Sequence, residues 1–228
     1  MKVFVGYDTR EDIAYQVCKH SILRRQPNAD VFPIVQKDLR ESKIYTRPVD
    51  PLSSTEFTFT RYLVPDFMSH SGWALFIDSD TIVMTDIKEL FDQADDKYAV
   101  MCVKHEYNPK ETIKMDCHAQ LPYPRKNWSS VMLFNCGHPS NEKLTMDLIN
   151  DNSKDGLYFH QMQWLKDEEI GSLHHTWNYL NTVYDDLPNP NIVHYTAGGP
   201  WFKRYRKCKL HDMWKKELFD MLEETYED

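Results

Sequence analysis

Two carboxylates, Asp78 and Asp80, close the apolar run in "ALFIDSDTIV" (residues 74–83). In an extended chain, residues i and i+2 face the same side. Both aspartates can then reach one hard cation, Mg²⁺ or Mn²⁺, through oxygen ligands. Two like charges at a strand end repel, and a divalent cation offsets that repulsion. The tripeptide alone also allows an ordinary alternative, in which one aspartate caps the next turn and the other is solvated. A second segment, "NIVHYTAGGPWF" (191–202), sets His194 at a strand end ahead of Gly198, Gly199, Pro200 and Trp201. Imidazole suits Mn²⁺ better than Ca²⁺. Glycines let a backbone approach a phosphate closely. A lone histidine is more often a hydrogen-bonded structural residue, but the Gly-Gly-Pro-Trp turn behind this one favours the ligand reading.

The elements that would position these groups alternate. "KVFVGYD" reads as a short buried strand, and "REDIAYQVCKHSILRR" as a helix with apolar Ile13, Val17, Ile22 and Leu23. "VFPIVQ" gives the next strand, so the chain opens β-α-β. Residues 38–56 read as a long loop, and "FTFTRYLVPDFM" as a helix interrupted near Pro65. "WALFIDS" is a continuous apolar run, the pattern of a central strand covered on both faces. "DIKELFDQ" starts with an N-cap signal. "YAVMCVKH", "SSVMLFNC" and "NIVHYTA" read as strands, and "KLTMDLIND", "YFHQMQWLKDE" and residues 210–226 as helices. The expectation is one α/β domain over 1–228, with a mixed, mostly parallel sheet flanked by helices. In such sheets ligands bind at the carboxyl ends of the strands. Asp8, Asp78, Asp80 and Asn135 are read as following such ends.

Composition narrows the function classes. The chain has 228 residues, 27 Lys+Arg against 35 Asp+Glu, and a net charge of −8, which argues against nucleic acid as a partner. The basic cluster "KRYRKCK" (203–209) reads as a solvated helix face, with a phosphate or anionic surface as its functional alternative. The opening "MKVFVGYD" does not read as a signal peptide, and no run approaches 18 apolar residues. Five cysteines, odd in number and without C-x-x-C spacing, fit reduced thiols. The expected location is cytoplasmic, with peripheral membrane attachment as an option.

The D-x-D after an apolar strand, together with the late H-x-x-x-G-x-P-W segment, resembles the GT-A fold glycosyltransferases, and within them glycosyltransferase family 8, which includes glycogenin and bacterial galactosyltransferases. "GYD" is similar to that family's nucleotide-base pocket, "TRYLVPDF" to its R-x-x-x-P helix, "FIDSDTIV" to its hLDxDhhh segment, and "FNCG" (134–137) to its FNxG strand. "HQMQWL" is similar to its DQ helix start. The resemblance implies a Rossmann-like GT-A domain that moves a sugar from a nucleotide-diphosphate donor, UDP favoured over GDP, to a hydroxyl acceptor such as a glycan. Asp78, Asp80 and His194 would hold Mn²⁺, with Mg²⁺ as the alternative. Tyr7 and Asp8 would sit by base and ribose. Arg61, Ser79, Gly198, Trp201 and Lys203 would contact the donor, and Asn135 and Gln161 would face the donor sugar or the reacting centre.

The chain departs from the family pattern in two places. Its late motif is one residue shorter, with Gly199 where the family has a phosphate-binding lysine, which leaves Lys203 or Arg204 to compensate. His160 stands for the family's Asp ahead of Gln161. An inverting enzyme needs a carboxylate base, and Asp116, Asp155, Asp185 and Asp186 are all open to that role. Two rival readings remain. A haloacid-dehalogenase-type phosphatase shares the D-x-D strand but has a different residue at the Ile82 position. A non-catalytic nucleotide-sugar binder would account for the missing lysine. Trp128, Trp164 and Trp177 read as core or pocket-wall rings, with an acceptor-stacking platform as the alternative.

Overall fold

In the computed structural model the described residues are 1–50, 53–106, 124–185 and 189–226. Strand β1 (Lys2–Tyr7) is followed by a 3-10 turn, Thr9–Glu11, and by helix α1 (Asp12–Arg25). Then come β2 (Asp30–Val35), α2 (Gln36–Glu41), α3 (Val64–Phe67), β3 (Trp73–Ile77), β4 (Thr81–Val83) and α4 (Lys88–Phe91). The second half holds β5 (Val100–Val103), β6 (Val131–Asn135), α5 (Met146–Asn150), α6 (Gly156–His160), β7 (Ile170–Leu173), β8 (Tyr179–Leu180), β9 (Ile192–His194) and α7 (His211–Tyr226).

The main sheet has the order β2-β1-β3-β6-β5-β7. The β1/β2, β1/β3 and β5/β7 pairs are parallel, and β6 runs antiparallel to both neighbours. The alternating side chains of β3 serve two cores. Ala74 and Phe76 pack with Tyr62, Phe134 and Phe159, whereas Leu75 and Ile77 pack with Tyr15, Ile22 and Leu133. Burial on both faces explains why β3 reads as an unbroken apolar run. A small second sheet, β4-β9-β8, lines up Thr81 and Leu180 on either side of His194.

Three expectations need correction. The segment 38–56 is not all loop, because α2 runs to Glu41. Helix α1 buries Ala14, Tyr15, Cys18 and Ile22, leaving Ile13 exposed. The "YFHQMQWLKDE" helix stops at His160, since Met162 takes a left-handed φ of 52°. Helix α7 closes the fold away from the main sheet. It packs on α1 and on the small sheet, where Trp214 meets Val17, Ile82, Val193 and Tyr195. His20 of α1 places Nδ1 2.8 Å from Glu217 and Nε2 3.1 Å from Glu224, and Arg25 donates to Glu217 at 3.0 Å. No helix among the described residues is long and apolar enough to cross a membrane. Cys18, Cys102 and Cys136 are buried free thiols, each pushed up to about 12 by burial.

Since Trp214 is only 3% exposed and Leu222 is 38% exposed, the two α7 residues separate cleanly. Trp214→Ala is expected to cost about 3–5 kcal/mol, and Leu222→Ala less than about 0.5 kcal/mol. Urea unfolding followed by circular dichroism measures both; equal losses would show that α7 docks through another face.

Candidate active site

Asp78 follows the last residue of β3, and its backbone N–H donates to the Ser130 carbonyl at 2.9 Å. Its Oδ1 accepts from Arg61 Nη1 at 2.8 Å, and the same nitrogen donates to the Ser129 carbonyl at 2.9 Å. The Arg61 guanidinium lies 5.0 Å from the Phe57 ring and 5.1 Å from Phe76, so the cation is fixed by aromatic walls as well as by its acceptors. Burial raises the Asp78 carboxyl above its ordinary value; Arg61 opposes the rise and Asp80 adds to it.

Asp80 stands one residue before β4, where its carbonyl accepts from the Tyr195 N–H at 2.9 Å. That bond sets it beside His194, whose Nε2 is 3.3 Å from Asp80 Oδ1. On its other side, His194 Nδ1 is 2.9 Å from Asn178 Oδ1. The Asn178 amide is oriented by its Nδ2, which donates to the Asn127 carbonyl at 3.0 Å. Its oxygen therefore faces the imidazole, Nδ1 carries the ring proton, and the Nε2 lone pair faces Asp80. Lone pair against carboxylate is an arrangement that a cation or a second ring proton relieves. Asp78, Asp80 and His194 each offer a ligand atom within 4.8 Å of one another. Two carboxylates and an imidazole with its tautomer fixed from behind fit a divalent cation of the Mn²⁺ or Mg²⁺ type.

The cleft around this group has a volume of about 60 Å³ and is also lined by Arg61, Asn127, Ser129, Ser130 and His160. Thr55 is shared with an adjoining cleft of about 220 Å³ that includes Arg10, Tyr45 and Glu56. Asp8 is fully buried and holds Arg10 through Nε at 2.9 Å and Nη2 at 2.7 Å. Burial acts to raise its carboxyl, but the bonds to Arg10 and Glu56 N–H outweigh it and keep the group below its ordinary value. Asp8 thus aims Arg10 at the cleft. Tyr7 donates to Asp12 at 2.8 Å and Ser79 is buried, and neither lines the clefts.

The late turn differs from its sequence reading. Gly198 has φ +122°, and a Cβ on Gly199 would stand 1.9 Å from the Trp201 ring. No lysine fits at 199 in this conformation. Trp201 is a buttress, with Nε1 donating to Glu11 Oε2 at 3.0 Å and its ring against Tyr195 and Trp214. Lys203 is exposed and lines neither cleft.

Asn135 must be moved. Because β6 is antiparallel, Asn135 pairs with Trp73 at the start of β3, at the opposite edge from Asp78, and its amide donates to the Asp96 carbonyl at 3.4 Å. The asparagine at the cleft is Asn127, held at a left-handed φ of 63°, with a buried Nδ2 that has no partner among the described residues. Gln161 also misses the cleft, its Oε1 accepting from Gln163 at 3.0 Å. Its neighbour His160 takes the place, with Nδ1 2.8 Å from Ser129 Oγ and 3.1 Å from the Tyr62 hydroxyl. Asp155 caps α6 through the Tyr158 N–H, and Asp185 is an exposed partner of Lys209. Asp116 and Asp186 lie outside the described residues.

Sequence reasoning missed Glu11, which looked like the polar start of a helix. It is 3% exposed. Burial, then the charges of Asp80 and Asp8, push its carboxyl up to about 8 against the Trp201 N–H.

Comparison with known proteins adds three findings. The family described as glycosyl transferase family 8 matches residues 19–204. Protein CDI of Arabidopsis thaliana is 50% identical over 223 residues, covering 95% of this chain and 85% of that protein. Among solved structures, the apo form of the glycosyltransferase GlyE of Streptococcus pneumoniae TIGR4 superposes with a TM-score of 0.64 at 19% identity. That match covers 99% of this chain, which spans 63% of GlyE. The galactosyltransferase LgtC, solved with donor and acceptor sugar analogs, gives 0.57 at 11% identity over 96% of both chains. These structural likenesses establish the fold, the α/β sheet of the GT-A glycosyltransferases.

Glu11 carries a stability signature. Its carboxyl stays protonated in the fold to about pH 8, whereas the unfolded group titrates near 4.5. The folded state therefore holds an extra proton between those values, and stability falls as pH rises through them. Glu11→Gln keeps an acceptor for Trp201 and removes the slope. With a chelator present, its advantage over wild type is expected to grow from near zero at pH 4.5 to a few kcal/mol at pH 8. Urea midpoints at the two pH values measure it, and parallel curves would refute the assignment.

Proposed function

The chain belongs to glycosyl transferase family 8, and from that footing we propose a metal-dependent glycosyltransferase that moves a sugar from a nucleotide-diphosphate donor, UDP favoured over GDP, to a hydroxyl acceptor of glycan type. The observation that carries the reading is the buried Asp78–Asp80–His194 group opening into a cleft beside Arg61. These three side chains would hold the cation, Mn²⁺ by preference. When bound, it supplies Lewis-acid stabilisation of the departing nucleotide diphosphate.

The chain's own residues do the rest. Asn178 fixes the His194 tautomer, which presents Nε2 as a ligand. Arg61 compensates the charge of Asp78 and holds its carboxylate in one orientation. Asn127 Nδ2, buried at the cleft without an acceptor among the described residues, is a donor ready for a ligand oxygen. Ser129 and His160 line the same cleft and contact the sugar side of the donor. Arg10, set by Asp8, faces the adjoining cleft, where the nucleoside end of the donor fits. Glycosyl transfer passes through an oxocarbenium-like state. Fixed charge at the leaving group acts more strongly there than in the ground state.

The absence of a cation at Gly199 sustains a second reading, a nucleotide-sugar binder without turnover. Titration calorimetry of UDP and then GDP, with and without Mn²⁺, tests binding. One nucleotide is expected to bind only with the metal, Asp80→Ala to weaken it by at least about 100-fold, and Asn178→Ala by about 10- to 100-fold. Binding that ignores metal and Asp80 would remove the basis of the metal-dependent transferase and leave the binder standing. Slow hydrolysis of the matching nucleotide-sugar separates them, because a binder alone releases no nucleotide diphosphate.

A further inference from the structure

A groove of about 410 Å³ lies where α1, the late turn and α7 meet. We propose that it is the surface through which the chain pairs with a second copy of itself. The two α7 helices lie antiparallel in this dimer, about a two-fold axis at Phe219. The groove shares no residue with the Asp78–Asp80–His194 group, so the dimer stands or falls apart from the transferase reading.

The groove is apolar and open. Ile13, Trp201, Trp214, Leu218 and Phe219 line it, and the Phe219 ring is 61% exposed. An aromatic ring left in water at the edge of an unfilled apolar groove is the anchor-and-pocket arrangement of an interface centre. Leu222, one turn further along α7, is 38% exposed and extends the same apolar surface.

The charges on α7 say what covers this surface. The flank of the helix toward α1 is engaged inside the chain: Glu217 and Glu224 meet His20, and Asp220 pairs with Arg24 and Lys216. The other flank carries Lys215, Phe219 and Glu223, four residues apart and so stacked along one face. Lys215 lines the groove and Glu223 is exposed, and neither has an ion-pair partner among the described residues. Each lies about 6 Å along the helix axis from Phe219, on opposite sides of it. A second copy with its helix reversed therefore sets the partner's Glu223 against this Lys215, and the partner's Lys215 against this Glu223. The two Phe219 rings meet at the axis, where each covers the other copy's groove. One patch that answers itself in shape and in charge is the condition for a closed two-fold interface.

Other occupants answer half of the pattern. An anionic membrane, or an acidic helix of another protein, suits Lys215 and Arg206 on the groove wall but is repelled by Glu223. A basic partner reverses the misfit. Only a surface that carries both signs in reversed order satisfies Lys215 and Glu223 together.

Sedimentation equilibrium on the full chain, from about 1 to about 300 μM, reads the dimer, with a dissociation constant expected on the order of 10 μM. Phe219→Ala should weaken it at least about 10-fold, with circular dichroism and nucleotide titration unchanged. Lys215→Glu and Glu223→Lys each place two like-charge pairs in the interface and should each weaken it by roughly 3- to 10-fold. An equimolar mixture of these two single variants restores opposite charge at both crossings and should pair as tightly as wild type. A monomer at every concentration would overturn the proposal, as would a dimer indifferent to Phe219→Ala. A mixture no tighter than its components would overturn it too, because the antiparallel register requires the rescue. A monomer that sediments with phosphatidylserine vesicles, and loses them in Phe219→Ala, would assign the face to a membrane instead.

Discussion

Two carboxylates buried together at the end of a central strand repel each other and have lost their water, and the surrounding structure is organised around that problem. Removing one partner of a buried ion pair costs about 3–5 kcal/mol, so Arg61 and Asp78 form a unit that neither can leave. Arg61 is in turn held by Phe57, Phe76 and the Ser129 carbonyl. The start of β6 is thereby tied to the end of β3, and the floor of the cleft is rigid before any ligand arrives. His194 balances the other aspartate from the small sheet, and Asn178 keeps its lone pair turned inward. Charge compensation therefore explains why two separate sheets meet at one point.

Much of this was legible in the sequence because burial leaves a pattern. Strand β3 showed itself as an apolar run, and Asp78 and Asp80 stood out as charges where such a run ends. His194 was marked by the same logic on β9. Direction was not legible. An apolar alternation reads the same both ways along a strand, so nothing in "SSVMLFNC" said that β6 enters the sheet reversed. That is why Asn135 was placed at the wrong edge and Asn127, before the strand, was overlooked. Helix ends were equally hidden. The left-handed Met162 ends the helix after His160, with His160 at the cleft and Gln161 outside. Strands of two to four residues, such as β7 and β8, carry too little periodicity to stand out.

Glu11 shows a different limit. In sequence it is one acid among many at a helix start, where carboxylates are favoured. Its burial depends on Trp201, nearly the whole chain away, which sequence spacing cannot register. The same holds for His105 and Tyr184, joined across 79 positions. Sites built from distant loops are legible only once the sheet has set their ends.

The missing lysine is then a property of packing and not of one residue. Trp201 occupies the space over Gly199, donates to Glu11 and rests on Tyr195 and Trp214. A side chain at 199 would displace the ring. That would strip Glu11 of its hydrogen bond and disturb Tyr195, whose N–H holds the Asp80 carbonyl. A lysine gained at 199 would thus loosen the backbone anchor of Asp80 to add one cation. The chain has taken the other arrangement. Its late turn is closed over an aromatic cluster continuous with α7, and the negative charge beside the cleft is lowered by a Glu11 carboxyl that stays protonated in the fold up to about pH 8.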